Sequence, residues 1–299
     1  MPGPLPKPLR VDAEVLDNSG EGGANYRLRL RVPGWPGFEP GQFVMLSPGA
    51  IGAAPRTDPL LPRPMAVYRA SGERVEILYK RTGRGTALLA EARAGERVRL
   101  VGPLGRPFAP PLPGERALLV GGGTGVASLY ELARRLASAA RSERKRSAQR
   151  AEGERRQAPA GPASEAHEAG ELAILLGARS AGDLMGRADF EAFGDRVRVA
   201  TEDGSAGERG LVTDLLEAEL AEGGPLRVYA CGPTPMMRRC ADLASARGAS
   251  ACASLENQMA CGFGVCLGCA VPVRGGGFAL VCRDGPVFAT GDLVWEGLP

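Results

Sequence analysis

The chain has 299 residues, 44% hydrophobic and 24% charged, which excludes a disordered polypeptide and leaves room for two domains of ordinary size. Its 37 basic against 34 acidic side chains give a net charge of +3, too weak a field to argue for nucleic acid or an anionic membrane, and 5% aromatic residues speak against a base-stacking platform. The one histidine, His167, lies in a polar stretch, so a Ser-His-Asp hydrolase or a His-ligated zinc enzyme has no material.

The start, MPGPLPKPLR, lacks the apolar core of a secretory signal, and the most apolar stretch, residues 117–133, is broken by glycines and cannot supply the roughly 20 apolar residues of a membrane span. A reducing cytoplasm is therefore the expected compartment, and the seven cysteines need a reason other than disulfides. From residue 10 to about 112 the segments VDAEVLD, NYRLRLRV, QFVML, MAVYRA, RVEILYK and ERVRLVGPLG read as short strands between Gly/Pro turns. They predict a small antiparallel barrel. TALLAEAR is the helical pattern within that series, and it follows the turn T-G-R-G-T. A turn of this kind offers free N–H groups to a phosphate, with Gly85 and Thr86 nearest and Arg63 able to add a bidentate contact, although G-x-G-T before a helix is also an ordinary capped turn.

At residue 116 the pattern changes to strand, glycine-rich turn and helix in RALLVGGGTGVASLYELARRLASA. ELAILLGARS, RVRVATEDG and PLRVYACGPTPMMRRCADLASARG continue it, which predicts a doubly wound parallel sheet. Gly121, Gly122, Gly123, Thr124 and Gly125 stand where a nucleotide approaches the strand ends, but they are not G-x-G-x-x-G, and a tight strand-to-helix turn explains them too. The later turn Cys231-Gly232-Pro233-Thr234-Pro235-Met236-Met237 is expected on the same sheet edge, so that the two turns form one pocket. Residues 139–170, charged and poor in large apolar side chains, read as a helix extension fraying into a disordered insertion.

Near the carboxyl end, Cys261, Cys266, Cys269 and Cys282 have the spacing C-x4-C-x2-C followed by a distant fourth cysteine, the plant-type 2Fe-2S pattern. Glycines 262, 264 and 268 let the backbone curl around such a centre. Zinc knuckles favour two C-x2-4-C pairs, and this run does not supply them. The last 48 residues are too few for an independent ferredoxin domain and are expected to be an appendage folded around the metal.

Taken in order, R-P-M-A and G-R-G-T, then G-G-G-T-G and C-G-P-T-P-M-M, then M-A-C-G-F-G-V-C-L-G-C with V-C-R-D-G-P-V-F resemble the electron-transfer subunits of dihydroorotate dehydrogenase B, within the ferredoxin reductase superfamily. The resemblance implies a β-barrel plus α/β architecture: an FAD-binding antiparallel β-barrel at 8–112, a doubly wound NAD-binding domain at 113–248 interrupted by 139–170, and a small 2Fe-2S subdomain at 249–299. It implies FAD lined by Arg63, Pro64, Met65 and Ala66 and by Leu78, Tyr79 and Lys80, with Gly85 and Thr86 at the pyrophosphate. Many relatives carry Ser or Thr where Ala66 stands, so here either a backbone N–H serves the flavin N5 or nothing does. Gly121 to Gly125, with Gly232, Pro233 and Met236, would face NAD, Cys231 would stand beside the nicotinamide as a catalytic residue, and Arg179 or Asp183 would reach the adenosine ribose. The choice of NAD against NADP is left open by these residues.

The implied partner is an FMN-bearing dihydroorotate dehydrogenase catalytic subunit, joined in a heterotetramer, with electrons passing through 2Fe-2S and FAD to NAD+ in pyrimidine biosynthesis. No nucleic acid or membrane partner is expected. A flavin can join the one-electron chemistry of a cluster to the two-electron chemistry of a nicotinamide, and the cofactors then carry the reaction, which accounts for the lack of an acid-base residue set. Two other functions compete: a flavin/2Fe-2S subunit of a ferredoxin:NADP oxidoreductase or hydrogenase-type complex, and a non-catalytic zinc-bound interaction module. Ordinary packing competes with function at Cys231 and is the favoured reading of Cys240 and Cys252, while Phe288 and Trp295 either cover the cluster or belong to the core.

Overall fold

The computed structural model of the chain describes residues 4–52, 58–155 and 172–298. Its first unit contains β1 (Leu9–Gly22), β2 (Asn25–Arg31), β3 (Phe43–Leu46), β4 (Arg63–Ala66), β5 (Arg69–Ser71), β6 (Arg74–Lys80), α1 (Arg84–Ala90) and β7 (Arg97–Leu104). The strands form one antiparallel sheet in the order β4-β3-β7-β1-β2-β6-β5. Strand alternation places Ala13 and Val15, Leu28 and Leu30, and Val75 and Ile77 in a common buried core.

The run MAVYRA, expected as one strand, is two. Its halves β4 and β5 lie at opposite edges of the sheet, and the two residues between them touch both edges: Val67 N–H donates to Gln42 O at 3.1 Å and Tyr68 N–H to Glu76 O at 3.0 Å. These bonds give partners to edge groups and curl the sheet towards closure. Val67 enters the core of this sheet, whereas Tyr68 enters that of the second unit.

The second unit contains β8 (Arg116–Gly122), α2 (Val126–Arg155), β9 (Leu172–Ala178), α3 (Arg187–Glu191), β10 (Val197–Thr201), β11 (Glu208–Arg209), α4 (Val212–Ala221), β12 (Leu226–Cys231), α5 (Thr234–Ala246) and β13 (Ser250–Ser254). The order is β11-β10-β9-β8-β12-β13, all parallel. From β8 the chain winds outward through β9 and β10, then returns to β12 on the other side, so β8 and β12 flank the switch point where ligands of such sheets bind.

The helix extension expected from residue 139 runs to Arg155 within α2; the expected disordered insertion beyond it falls on residues 156–170, which lie outside the described residues. The buried first turns of α2 supply the costly nucleus, and Ala, Arg, Lys, Glu and Gln then propagate it cheaply. One expectation is corrected: the carboxyl-terminal segment is not an appendage beginning at residue 249. Strand β13 and the later β16 (Val287–Ala289) complete the parallel sheet, β16 as its antiparallel edge. The segment between them, which includes the hairpin β14 (Ala270–Pro272) and β15 (Phe278–Leu280), buries Val271, Leu280, Phe288 and Trp295 in one cluster with Leu118 and Val228. Phe288 and Trp295 therefore serve the core. Among the described residues no helix is long and apolar enough to cross a membrane.

Candidate functional site

A cavity of about 930 Å³ opens between the curled sheet and the switch point of the parallel sheet, a volume within the range of ligand pockets. All four residues of β4, Arg63, Pro64, Met65 and Ala66, line it together with Leu78, Tyr79 and Lys80 at the end of β6, and Thr86 in α1. Pro64 is tolerated because β4 is an edge strand, where a missing N–H costs no ladder bond. Thr124, Gly232 and Pro233 line the opposite wall. Residues as distant in sequence as Arg63 and Pro233 thus meet across one cleft.

Gly85 stands behind this wall rather than in it. A Cβ at Gly85 would meet the Arg63 guanidinium, with Nε only 2.8 Å away. The glycine thereby lets Arg63 lie across the first turn of α1, and Arg63 Nη1 donates to Leu61 O at 2.8 Å. Thr86 Oγ1 accepts the N–H groups of Thr82 at 3.0 Å and Gly83 at 3.1 Å, which ties the preceding turn to the helix. A guanidinium beside such a turn fits the phosphate of a dinucleotide.

Gly121, Gly122, Gly123, Gly125, Cys231 and Met236 do not line the cavity. Most of the glycines there are packing residues. A Cβ at Gly121 would press on Val126 at 2.9 Å, one at Gly122 would press on Pro233 at 3.1 Å and on the Met236 sulfur, and one at Gly125 would run into the Cys231 carbonyl. Gly123 has φ +55° and turns the chain into α2. Cys231, expected beside the nicotinamide, lies directly behind the cavity-lining residues Gly232 and Ser254. It is fully buried at the end of β12, and its Sγ donates to Ser254 O at 3.4 Å. Burial, helped by the Glu256 charge, pushes this thiol up to about 12 against the opposing bonds of Ser128 and Ser254. Cys240 and Cys252 are buried as well.

The segment after β13 contributes cleft residues that the sequence pattern did not single out, among them Ser254, Glu256, Asn257 and Met259. Glu256 faces the open cleft but is ringed by protein atoms, so desolvation raises its carboxyl above the usual range, while Thr124 opposes the shift by donating Oγ1–H to Oε1 at 3.2 Å. An acid just past the carboxyl end of a parallel strand was the available signal. Asp183 accepts from Lys80 Nζ at 2.7 Å and is thus committed to a side chain of the first unit.

The cysteine loop lies beside this cleft, and Gly268 lines both. Gly262, with φ +86°, rests on Met45 and Leu104 of the first sheet, and Gly264, with φ +84°, rests on Arg283. Leu267 also takes a left-handed conformation, with φ +60°. Cys269 Sγ lies 3.3 Å from Cys282 Sγ, and Gly264 N–H donates to the latter at 3.1 Å. Cys261 interacts with Cys266. Burial raises the Cys261 thiol, but the N–H groups of Cys266, Phe263 and Val265 outweigh it and bring it down to about 6. Among the described residues no three His, Cys, Asp or Glu side chains are placed to hold one metal ion. Two thiol pairs in a loop rich in N–H donors suit a centre that takes two sulfur ligands on each of two irons. They do not suit a four-coordinate zinc.

A curled antiparallel sheet, a parallel sheet with a cleft at its switch point and a paired-cysteine loop at the mouth define a reductase of the ferredoxin reductase class. A solved NADH-dependent reduced ferredoxin-NADP oxidoreductase, described in terms of flavin-based electron bifurcation, superposes with a TM-score of 0.76 at 26% identity over 96% of this chain and 91% of that one. Residues 256–294 match the model of the iron-sulfur cluster binding domain of dihydroorotate dehydrogenase B, and residues 119–242 match the oxidoreductase NAD-binding domain. The electron transfer subunit of dihydroorotate dehydrogenase B (NAD(+)) from Bacillus caldolyticus is 38% identical over 86% of this chain and 87% of its own. That from Caldanaerobacter subterraneus subsp. tengcongensis is 34% identical over 93% and 96%. The chain belongs to the family of dihydroorotate dehydrogenase B electron transfer subunits.

Replacing Gly125 by Ala forces α2 away from the Cys231 carbonyl and is expected to cost about 1–3 kcal/mol, as overpacking does. Replacing Gly123, which has no neighbour in the way, costs about 1 kcal/mol from its φ alone; urea denaturation separates the two. Because the Glu256 carboxyl is raised in the folded state, its contribution to stability is lost as pH rises through and above its ordinary 4.5. The variant Glu256→Gln should lack that decline, so its melting temperature gains on that of the native chain towards neutral pH.

Proposed function

We propose that this chain carries electrons between a nicotinamide nucleotide and a catalytic partner subunit. The partner is an FMN-bearing dihydroorotate dehydrogenase, assembled with this chain as a heterotetramer, and NAD+ is the final acceptor. The observation that carries the reading is the placement of two thiol pairs at the mouth of a cleft whose walls come from two different sheets. FAD and a 2Fe-2S cluster, when bound, supply the two-electron and one-electron chemistry.

The protein's own part is binding and orientation. Arg63 offers charge to a phosphate, and β4 with the end of β6 forms a half-buried wall for a flat ring system. Thr124, Gly232 and Pro233 present the facing wall for a nicotinamide nucleotide. Cys231 supports that wall from beneath as a neutral, packed thiol. At the metal loop, Cys261, Cys266, Cys269 and Cys282 are the ligands, with Cys266 the most open of the four. Phe263, Val265 and Leu267 expose apolar side chains around them. Such a patch suits a docking partner that brings its own cofactor close to the cysteines. A second reading, a flavin/2Fe-2S subunit of a ferredoxin:NADP oxidoreductase, is favoured by the extent of the fold match, which runs through the cysteine region.

Co-purification with the dihydroorotate dehydrogenase chain, followed by dihydroorotate-dependent reduction of NAD+, tests the first reading against the second. Iron and acid-labile sulfide should be found in equal amounts together with bound FAD. The variant Cys266→Ser is expected to lower dihydroorotate-driven NAD+ reduction to background while NADH oxidation by an artificial two-electron acceptor persists. Loss of both activities with FAD and fold retained refutes the assigned route.

A further inference from the structure

Away from the cleft, one short segment of the second unit is strapped to the outer face of the first sheet. Asp189 in α3 accepts from Arg27 Nη2 at 2.6 Å, Tyr68 OH at 2.9 Å and Arg69 Nη1 at 3.1 Å, donors from two parts of the first unit, β2 and the start of β5. Arg27 is 6% exposed and also meets Glu76 at 3.0 Å and Glu21. Arg69 meets Glu76 at 3.0 Å. Glu21 accepts the Gly186 N–H at 3.2 Å, and Lys80 reaches Asp183 at 2.7 Å. The Tyr68 ring lies beneath the Arg27 and Arg69 guanidinium groups and stacks on Tyr130 of α2 at 4.3 Å.

The strand geometry connects this network to the cleft. On β6, Val75, Ile77 and Tyr79 face the core of the first sheet, so Glu76, Leu78 and Lys80 face the second unit. Glu76 and Lys80 are held by the network, and Leu78 between them packs in the core of the second unit. Leu78, Tyr79 and Lys80 are also cleft wall. The strand that shapes one wall is therefore bonded to the unit that supplies the other.

We propose that Asp189 is a positioning residue for the hydride-transfer step, an alignment clamp that sets the two cleft walls at the separation the reaction needs. The inference rests on the functional reading above and adds to it a residue outside the cleft. Its electrical balance makes it testable. With Asp189 removed, Arg27 still faces Glu21 and Glu76 and Arg69 still faces Glu76, so no buried guanidinium is stranded. Removal of Arg27 would instead take the guanidinium that joins Glu21, Glu76 and Asp189 and leave Glu21 without its ion-pair partner, so that loss of stability would obscure any effect on alignment. Asp189 is accordingly the informative position. Little exposed, the pairs are also poorly screened by salt.

The test uses the FAD-loaded holoprotein with Asp189→Ala, Asp189→Glu and Tyr68→Phe. Hydrogen exchange of residues 183–191 should rise in Asp189→Ala, and kcat for NADH oxidation by an artificial acceptor should fall about 10- to 100-fold, the effect of an ångström of misplacement. KM should change less than kcat, Asp189→Glu should recover part of the loss, and Tyr68→Phe should show a smaller loss. A folded, FAD-loaded Asp189→Ala protein with native kcat overturns the clamp, whether or not exchange rises. If that variant does not fold, native exchange and native kcat in Tyr68→Phe overturn it. A native protein that binds FAD but does not oxidise NADH would instead refute the functional reading, and the exchange comparison would still decide whether Asp189 ties the two units.

Discussion

The two units meet through a face of β6 that cannot serve either core alone. Alternation sends Val75, Ile77 and Tyr79 one way and Glu76, Leu78 and Lys80 the other. A one-residue slip of this strand would exchange the two sets and place charges in the core of the curled sheet. Its register is held from both sides, by the ladder to β2 and β5 and by the ion pairs to the parallel-sheet unit. The cleft inherits its width from that double constraint, because the same strand ends in the cleft wall.

The opposite wall depends on close backbone approach rather than on charge. Val126 of α2 sits against Gly121, and the Cys231 carbonyl occupies the space a side chain would need at Gly125. The glycine-rich turn therefore brings the start of α2 against the end of β12, and Thr124 and Gly232 become neighbours across the switch point. The glycines thus act by letting backbone segments pack closely behind the wall, not by clearing space within the cleft. Polar groups on this side include Thr124, from the glycine-rich turn, and Ser254 and Glu256, from the end of β13 and just beyond it.

The cysteine loop illustrates a different economy. Its residues are too few to bury a core, so the flanking strands β13 and β16 join the parallel sheet, while Gly262 leans on the first sheet. The loop is thereby fixed to both units at once, next to the cleft that both units form. The loop reaches the cleft in this way without forming a separate domain.

Much of this molecule was legible in one dimension. Alternating apolar residues marked the strands, strand-turn-helix repeats marked the parallel sheet, and four cysteines at fixed spacing marked the metal loop, because burial period and ligand spacing are local properties. The residues of β4 and the end of β6 that the motifs singled out line the cleft. The splitting of MAVYRA across two sheet edges, the burial of Cys231, the packing role of Gly121, Gly122 and Gly125, the entry of β13 and β16 into the parallel sheet, and the cleft position of Glu256 were decided by tertiary structure. So was the meeting of Arg27 with Asp189. Each depends on which distant segments touch, and no local period records whether a glycine faces a ligand or a neighbouring carbonyl.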